Sequence, residues 1–307
     1  MPLGISKPFF RVIATGITFF KSHKHCAKYN RTNLAQLWGQ LAIGLALSSM
    51  IGFAARSRGS LSKSGALGAI LTGTAVFGFG GWTPGLLLIA FFVSSSALSH
   101  FKQNNATKQH AAEIFEKGGQ RDLGQTLANG GAASAFAVVM GLAALAGQNA
   151  IAHMALGGLV GALATVNADT WATELGVLSR ARPRLITRLS RQVEPGTSGG
   201  VTVTGTLAAL GGAAFIGLVF VVLSGGSAGQ LVCAALGGLA GALADSWLGA
   251  TVQGIYFDEM RNRETEKATD KNSAPNRFVR GWRWINNDRV NFLSSLVGAL
   301  VCAIFFR

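Results

Sequence analysis

The chain has 307 residues, of which 49% are hydrophobic, only 13% are charged and 41 are glycine. Soluble domains carry about 25% charged residues and roughly 7% glycine, so this composition excludes a disordered chain and argues against a soluble globule. The 27 Lys and Arg outnumber the 13 Asp and Glu. In a membrane protein an excess of basic residues usually lies in cytoplasmic loops, where it faces anionic lipid headgroups. The composition predicts an all-α fold, a polytopic helical membrane protein.

Eight apolar stretches are long enough to cross a bilayer, which takes about 17–25 residues. They are residues 34–55, 64–80, 82–99, 127–147, 151–168, 201–224, 228–250 and 290–306. Charged connections alternate with short neutral links, which places every charged connection in the cytoplasm by the positive-inside rule. Because the second stretch is short and rich in Gly, we expect one domain over residues 34–307 with about seven to eight spans.

Residues 1–33 form a basic tail, and no acidic residue precedes Glu113. If the first apolar stretch crosses fully, this tail lies outside. The alternatives are a first stretch that does not cross, a surface helix at residues 9–20, or a cleaved organelle transit segment.

One internal repeat predicts that two helical hairpins are duplicated, at residues 127–171 and 201–247. Residues 157–164 read GGLVGALA and residues 237–244 read GGLAGALA. Each copy leads to an Ala-Asp-(Thr/Ser)-Trp sequence, but the first does so four residues later, which is about one helical turn. Repeats that meet around a polar site are a common membrane architecture.

Three acidic residues lie within or at the ends of apolar stretches: Asp169, Glu174 and Asp245. A carboxylate there is costly, so each is a candidate catalytic or metal-binding residue. Asp169 and Asp245 can hold Mg²⁺, which prefers one or two carboxylates with water and substrate phosphates. They can also line a proton or cation pathway, or pair with loop arginines. Glu174 is a further ligand or base, or else a partner of Arg180 or Arg182.

A Gly-rich turn at residues 195–200 precedes the stretch that begins at residue 201. Gly196, Thr197, Ser198, Gly199 and Gly200 can present backbone N–H groups and a helix N-terminus to a phosphate. The same residues also make ordinary turns and N-caps. Arginine forks match phosphate oxygens, so Arg182 and Arg184 just before the turn are further candidates for phosphate binding. Lys117 and Arg121, expected on the same side of the membrane, could complete a phosphate-binding cage.

Five polar residues near these positions can support a ligand or form hydrogen bonds between helices. They are Asn129, Asn167, Thr170, Ser246 and Gln253. Trp282 and Trp284 stand among arginines beside the last stretch, where a membrane-interface belt explains them more simply than base stacking does. We therefore expect no nucleic-acid partner.

Several ordered motifs resemble one family, the integral-membrane "domain of unknown function 92" or transmembrane-protein-19-like family, over about residues 34–306. They are SGAL (64–67), KGGQRDLGQTLANGG (117–131), NADTWATELGVLS (167–179), PRLIT (183–187), PGTSGGVTVTGTLA (195–208) and ADSWLGATVQG (244–254). Gln120 and Ser198 stand where many relatives carry Arg and Asn.

The resemblance implies an activity, because the family includes the phytyl-phosphate kinases of tocopherol biosynthesis. We therefore expect a prenyl-phosphate kinase that uses Mg²⁺ and a nucleoside triphosphate, CTP or ATP, on an isoprenoid phosphate in the bilayer. The enzyme would lie in a bacterial inner membrane or an organelle membrane. The alternatives are a transporter of a cation or lipid phosphate, and a non-catalytic membrane protein.

Overall fold

The computed structural model describes residues 34–101, 104–115, 120–270 and 272–306. The predictions for the tail, residues 1–33, lie outside them. Within these ranges there are nine helices: α1 (Leu34–Ser57), α2 (Lys63–Gly80), α3 (Trp82–His100), α4 (Ala106–Ile114), α5 (Leu123–Leu145), α6 (Asn149–Gly176), α7 (Val203–Ser224), α8 (Ala228–Thr251) and α9 (Asn287–Phe305).

Seven helices of the described part are long and apolar enough to cross a membrane, namely α1, α3 and α5–α9. The remaining predicted stretch, residues 64–80, forms the Gly-rich helix α2, which is not among these seven. The apolar stretches therefore predicted the long helices, mostly to within a few residues at each end. Large apolar side chains such as Leu142, Val222 and Leu236 remain more than half exposed, as expected for surfaces that face lipid.

Local capping residues decide where the helices begin and end. Asp122 caps α5 and Ser227 caps α8, each in a reciprocal capping box with the Gln three residues later. Gly81 separates α2 from α3 at a φ of +80°, a conformation that favours glycine. These signals give tight links at one end of the bundle and leave the charged connections at the other.

Helices α1 and α2 form an antiparallel pair through small residues. Gly44 contacts Phe77, Gly73 contacts Ser48 and Gly78 contacts Leu41. Close backbone approach of this kind replaces the hydrophobic effect as the source of helix association in lipid. Because Leu41 meets Gly78, α1 begins at the end of the bundle where α2 ends.

Helices α6, α8 and α9 meet at a crossing that only small residues permit. A methyl group at Gly298 would meet the hydroxyl of Thr165 and, at 2.7 Å, the carbonyl oxygen of Gly237. Gly161 and Gly241 approach α9 and Thr165 just as closely. Helix α6 is buried along most of its length and forms the centre of the bundle.

The repeated segments lie side by side in α6 and α8, where Ala164 contacts Gly238 and Thr165 contacts Gly241. Both helices follow a hairpin partner, α5 and α7 respectively, and both end on the side of the charged connections. Duplication of the whole hairpins stays a prediction.

Two small antiparallel sheets and helix α4 lie in connections that sequence reasoning treated as charged loops. Strands β1 (Arg184–Leu185), β2 (Arg188–Gln192) and β3 (Gly200–Val201) form one sheet in the order β2-β1-β3. Strands β4 (Ile255–Asp258), β5 (Arg263–Thr265) and β6 (Arg277–Arg280) form the other in the order β5-β4-β6. Strands of two to five residues are too short to show an alternating pattern in sequence.

We predict that Gly298→Ala lowers the free energy of unfolding by about 1–3 kcal/mol, because the added methyl group overfills the crossing of α6, α8 and α9. Denaturant titration in detergent micelles measures the change. Gly39→Ala on exposed α1 is the control, since no atom lies within 4 Å of its added methyl group. Equal stability of the two variants would contradict the close crossing.

Candidate functional site

A cavity of about 520 Å³ lies at the end of the bundle where the charged connections meet. Its walls come from α4, the ends of α6 and α8, the starts of α5, α7 and α9, and the Gly-rich turn. A volume of this size is typical of small-molecule sites. The cavity is therefore the candidate functional site.

Asp169 and Asp245 both line this cavity, from α6 and α8 respectively. Each lies four residues beyond the contact between Thr165 and Gly241, so parallel helices bring them to the same depth. The carboxylate of Asp245 interacts electrostatically with those of Asp169 and Glu266. The cavity thus collects negative charge that a bound cation would neutralise.

Two residues of α9 donate hydrogen bonds to Asp245. Sequence reasoning did not predict these hydrogen bonds. Ser294 Oγ donates a 2.9 Å hydrogen bond to Asp245 Oδ2. In the amide orientation that satisfies its neighbours, Asn291 Nδ2 donates to the same oxygen at 3.1 Å and to the Asn287 carbonyl at 3.2 Å. The signal was the spacing of Asn287, Asn291 and Ser294, which puts three polar side chains on one face of α9.

Glu174 also lines the cavity, but its carboxylate is held by α3 and α4. Lys108 Nζ lies 2.6 Å from Glu174 Oε2, and Ser99 Oγ donates to Oε1 at 2.6 Å. Lys108 also donates to the Leu98 and Phe101 carbonyls at the end of α3, where a cation complements the helix dipole. Lys108 therefore takes the pairing role that sequence reasoning gave to Arg180 or Arg182.

The Gly-rich turn forms part of the cavity wall, and residues 196–200 all face the cavity. Gly196 and Gly199 have φ values of +92° and +81°, and a side chain at Gly199 would collide with Ala250 of α8. Ser198 Oγ donates a 2.6 Å hydrogen bond to Glu266, a buried acid in the last connection. Glu266 was missed because it stands in a charged stretch that looked solvated.

Arg121 is the candidate phosphate-binding cation that the described structure places in the cavity. Its guanidinium carbon lies 5.7 and 5.8 Å from the ring centres of Phe91 and Phe92. Within the described ranges, no residue forms a hydrogen bond or ion pair with this guanidinium. Burial lowers the pKa of Arg121, and the nearby charge of Glu174 partly offsets that effect. A guanidinium keeps its charge at neutral pH in proteins, so the side chain can bind an anion.

Two of the predicted phosphate-binding arginines lie elsewhere. Arg182 and Arg184 are exposed and do not line the cavity. Arg184 Nη1 instead donates to the Leu189 carbonyl at 2.7 Å, which stabilises the turn between β1 and β2. Lys117 lies outside the described residues.

The predicted supporting residues divide between the cavity and the helix interfaces. Asn167 is fully buried and joins two helices, because its amide accepts from Ser94 of α3 at 2.8 Å and donates to the Gly212 carbonyl of α7 at 2.7 Å. The other four line the cavity: Asn129, Thr170, Ser246 and Gln253.

Gln253 is 2% exposed, and its side-chain oxygen accepts from Ser198 at 3.4 Å. Its Nε2 has no partner among the described residues. It therefore leaves a hydrogen-bond donor beside the Gly-rich turn.

The donor set fits a metal that is shared with a substrate. Among the described residues, no three His, Cys, Asp or Glu side chains are grouped to hold an ion alone. A closed structural site of Zn²⁺ type is therefore not formed by this part of the chain. Asp169 and Asp245 give the one or two carboxylates that Mg²⁺ takes when water and phosphate complete its coordination.

We predict that Lys108→Met and Glu174→Gln each destabilise the protein and that the double variant loses less than the sum. The expected coupling is about 1–3 kcal/mol, because either single change leaves a largely buried group unpaired. Unfolding titrations of the four proteins measure it. The exposed pair Arg277 and Glu259 is the control, with a coupling near zero. Additive losses at Lys108 and Glu174 would contradict the pairing.

Comparison with known proteins supports the membrane architecture. The model of the family described as "Integral membrane protein DUF92" matches residues 46–299. Protein PGR of Arabidopsis thaliana is 36% identical over 86% of this chain and 96% of its own length. An uncharacterized membrane protein of Methanocaldococcus jannaschii is 32% identical, over 80% and 86%.

A third relative is more distant, and no solved structure matches the chain. Protein VTE6, chloroplastic, of Arabidopsis thaliana is 27% identical over 80% of this chain and 65% of its own length. The match of the family model covers well over half of the chain, and two relatives exceed 30% identity. This chain therefore belongs to the DUF92 family of integral membrane proteins.

Proposed function

We propose that this protein is a prenyl-phosphate kinase, which transfers a phosphoryl group from CTP or ATP to an isoprenoid monophosphate. The observation that supports it best is one cavity that contains two aspartates from neighbouring helices, the guanidinium of Arg121, which none of the described residues pairs, and a Gly-rich turn. The resemblance of the sequence motifs to a family that includes phytyl-phosphate kinases points to the same reaction.

The reaction needs positioning and charge neutralisation more than covalent chemistry. An oxygen of the lipid monophosphate attacks the terminal phosphorus of the nucleotide, the bond to the bridging oxygen breaks, and the products are a prenyl diphosphate and a nucleoside diphosphate. The attacking phosphate is largely ionised at pH 7, because its second pKa is about 6. No general base is needed, which agrees with Glu174 being held by Lys108.

Several polar residues of the cavity have distinct roles in this scheme. Asp169 and Asp245 would hold Mg²⁺, which would supply charge neutralisation to the transferred phosphoryl group. Ser294 and Asn291 keep the Asp245 carboxylate oriented. Arg121 binds the lipid phosphate as a planar fork, which fits phosphate oxygens bidentately.

The Gly-rich turn and the N-terminus of α7 form the nucleotide side of the cavity. Small residues there let backbone N–H groups approach phosphate oxygens closely, and the helix dipole favours negative charge. Since the cavity lies at the end of the membrane helices, a lipid phosphate reaches it from headgroup depth while a nucleotide enters from water. This placement suits a reaction between an amphiphile and a soluble donor.

We predict that Asp169→Asn and Asp245→Asn each lower kcat by about 100-fold or more, because each removes a ligand of the proposed metal. The assay measures the prenyl diphosphate product. It contains purified protein in detergent, Mg²⁺, labelled CTP or ATP, and farnesyl, geranylgeranyl or phytyl phosphate. Glu259→Gln is the matched control, since Glu259 is 75% exposed and outside the cavity. Normal turnover in either Asp variant, or turnover without any divalent ion, would refute the scheme.

We also predict that Arg121→Gln raises KM for the lipid phosphate by about tenfold or more, because it removes a charge-assisted hydrogen-bond donor. Arg182→Gln should leave KM within about twofold, because Arg182 is exposed outside the cavity. Initial rates against lipid phosphate concentration distinguish the two. A larger rise in KM for Arg182→Gln than for Arg121→Gln would indicate that the exposed arginines bind the lipid phosphate.

A further inference from the structure

A second, apolar cavity adjoins the first between α1, α2, α3 and α5, and we call it the side groove. It encloses about 70 Å³. Its walls are mainly aliphatic and aromatic and include Ile51, Leu61, Phe77, Leu88, Ile89 and Phe92. Along α2 it extends from Ala69 to Phe77, which is about 12 Å at 1.5 Å per residue.

The side groove borders the polar cavity at two shared residues. Arg121 and Asn129 line both spaces. The guanidinium of Arg121 lies against Phe91 and Phe92, which are walls of the side groove. A phosphate bound by Arg121 would therefore lie next to the apolar walls of the side groove.

The side groove exists because α3 packs toward α6 and α7 while α1 packs along α2. Ile51, Ile89 and Phe92 are only half-buried, so these wall side chains are partly exposed. A dry cavity that holds benzene has about 150 Å³, and the space here is smaller. Its volume admits a few carbons and not a whole diterpenoid chain.

We infer that the side groove binds the first carbons of the isoprenoid tail and orients the monophosphate on Arg121, while the rest of the tail lies in the bilayer. This inference rests on the proposed function. Lipid tails are as apolar as the groove walls, so contacts there add little affinity and mainly fix position. The enzyme therefore selects a phosphate with an apolar start and tolerates different tail lengths.

The test is photo-crosslinking with a farnesyl phosphate analogue that carries a diazirine on the isoprene unit next to the phosphate. Purified full-length protein in lipid nanodiscs is irradiated, and labelled peptides are mapped by mass spectrometry. Excess geranyl phosphate competes in one arm and geraniol, which lacks the phosphate, competes in another. The same labelling is repeated on Asp169→Asn, which lacks the proposed metal ligand but keeps the groove.

We expect labels on α2 and α3 near Ala69, Thr72 and Ile89, displaced by geranyl phosphate and not by geraniol. Labels on α7 or α8 that geranyl phosphate displaces would contradict tail binding in the side groove and leave the kinase proposal unaffected. Labels in the side groove of a protein that shows no phosphotransfer would support tail binding there and contradict the kinase proposal. Labelling that geranyl phosphate does not displace would contradict tail binding in the side groove.

A kinetic test uses Ala69→Phe, which fills the side groove, against Leu71→Phe, which adds an aromatic ring on the exposed side of the same helix. Ala69→Phe should lower kcat about tenfold for geranyl, farnesyl and geranylgeranyl phosphates alike, with KM within about twofold, because it disturbs the position of the phosphate. Leu71→Phe should change neither. A kcat effect of Ala69→Phe that grows with tail length would overturn the view that only the first carbons are bound.

Discussion

The close crossing of α6, α8 and α9 is the constraint on which the rest of the structure depends. In lipid there is little hydrophobic drive for helices to associate, so contact between backbones must supply the attraction. Gly161, Gly237 and Gly298 make that contact possible. Thr165 satisfies its hydroxyl within α6 by donating to the Gly161 carbonyl, so its buried polar group has a partner. One turn before Gly298, Ser294 then reaches Asp245.

The charged groups of the cavity are satisfied unequally, and the difference indicates which of them are free to act. Glu174 and Lys108 neutralise each other and tie α4 to α3 and α6. Asp169 and Asp245 instead add like charge in one place, which costs free energy. Arg121 has the opposite sign and lies against two aromatic rings. A metal with phosphate groups would complement both halves of this arrangement.

Sequence reasoning located the long helices because apolar length is a local property that a sequence displays directly. It also singled out Asp169 and Asp245, which line the cavity, since a carboxylate in an apolar stretch stands out. It missed Lys108, Glu266 and Ser294, because each acts through a partner far away in the chain. Arg182 and Arg184 show the converse. Their basic cluster is visible in the sequence, but in the structure both side chains are exposed and lie outside the cavity.

The register of α6 against α8 explains why the repeat carries a four-residue offset. By the GGLxGALA motif, Gly157 corresponds to Gly237, but in the structure Gly161 and Gly237 both contact Gly298 and Cys302. Packing thus follows a register shifted by one helical turn, in which Thr165 faces Gly241.

Continued by one more turn, this register pairs Asp169 with Asp245. Without the extra turn in α6, the first aspartate would lie about 6 Å nearer the middle of the bundle than its counterpart. The four-residue offset therefore brings two carboxylates from similar helices to one level. A shared ion requires that arrangement, whereas independent interfacial anchors would not.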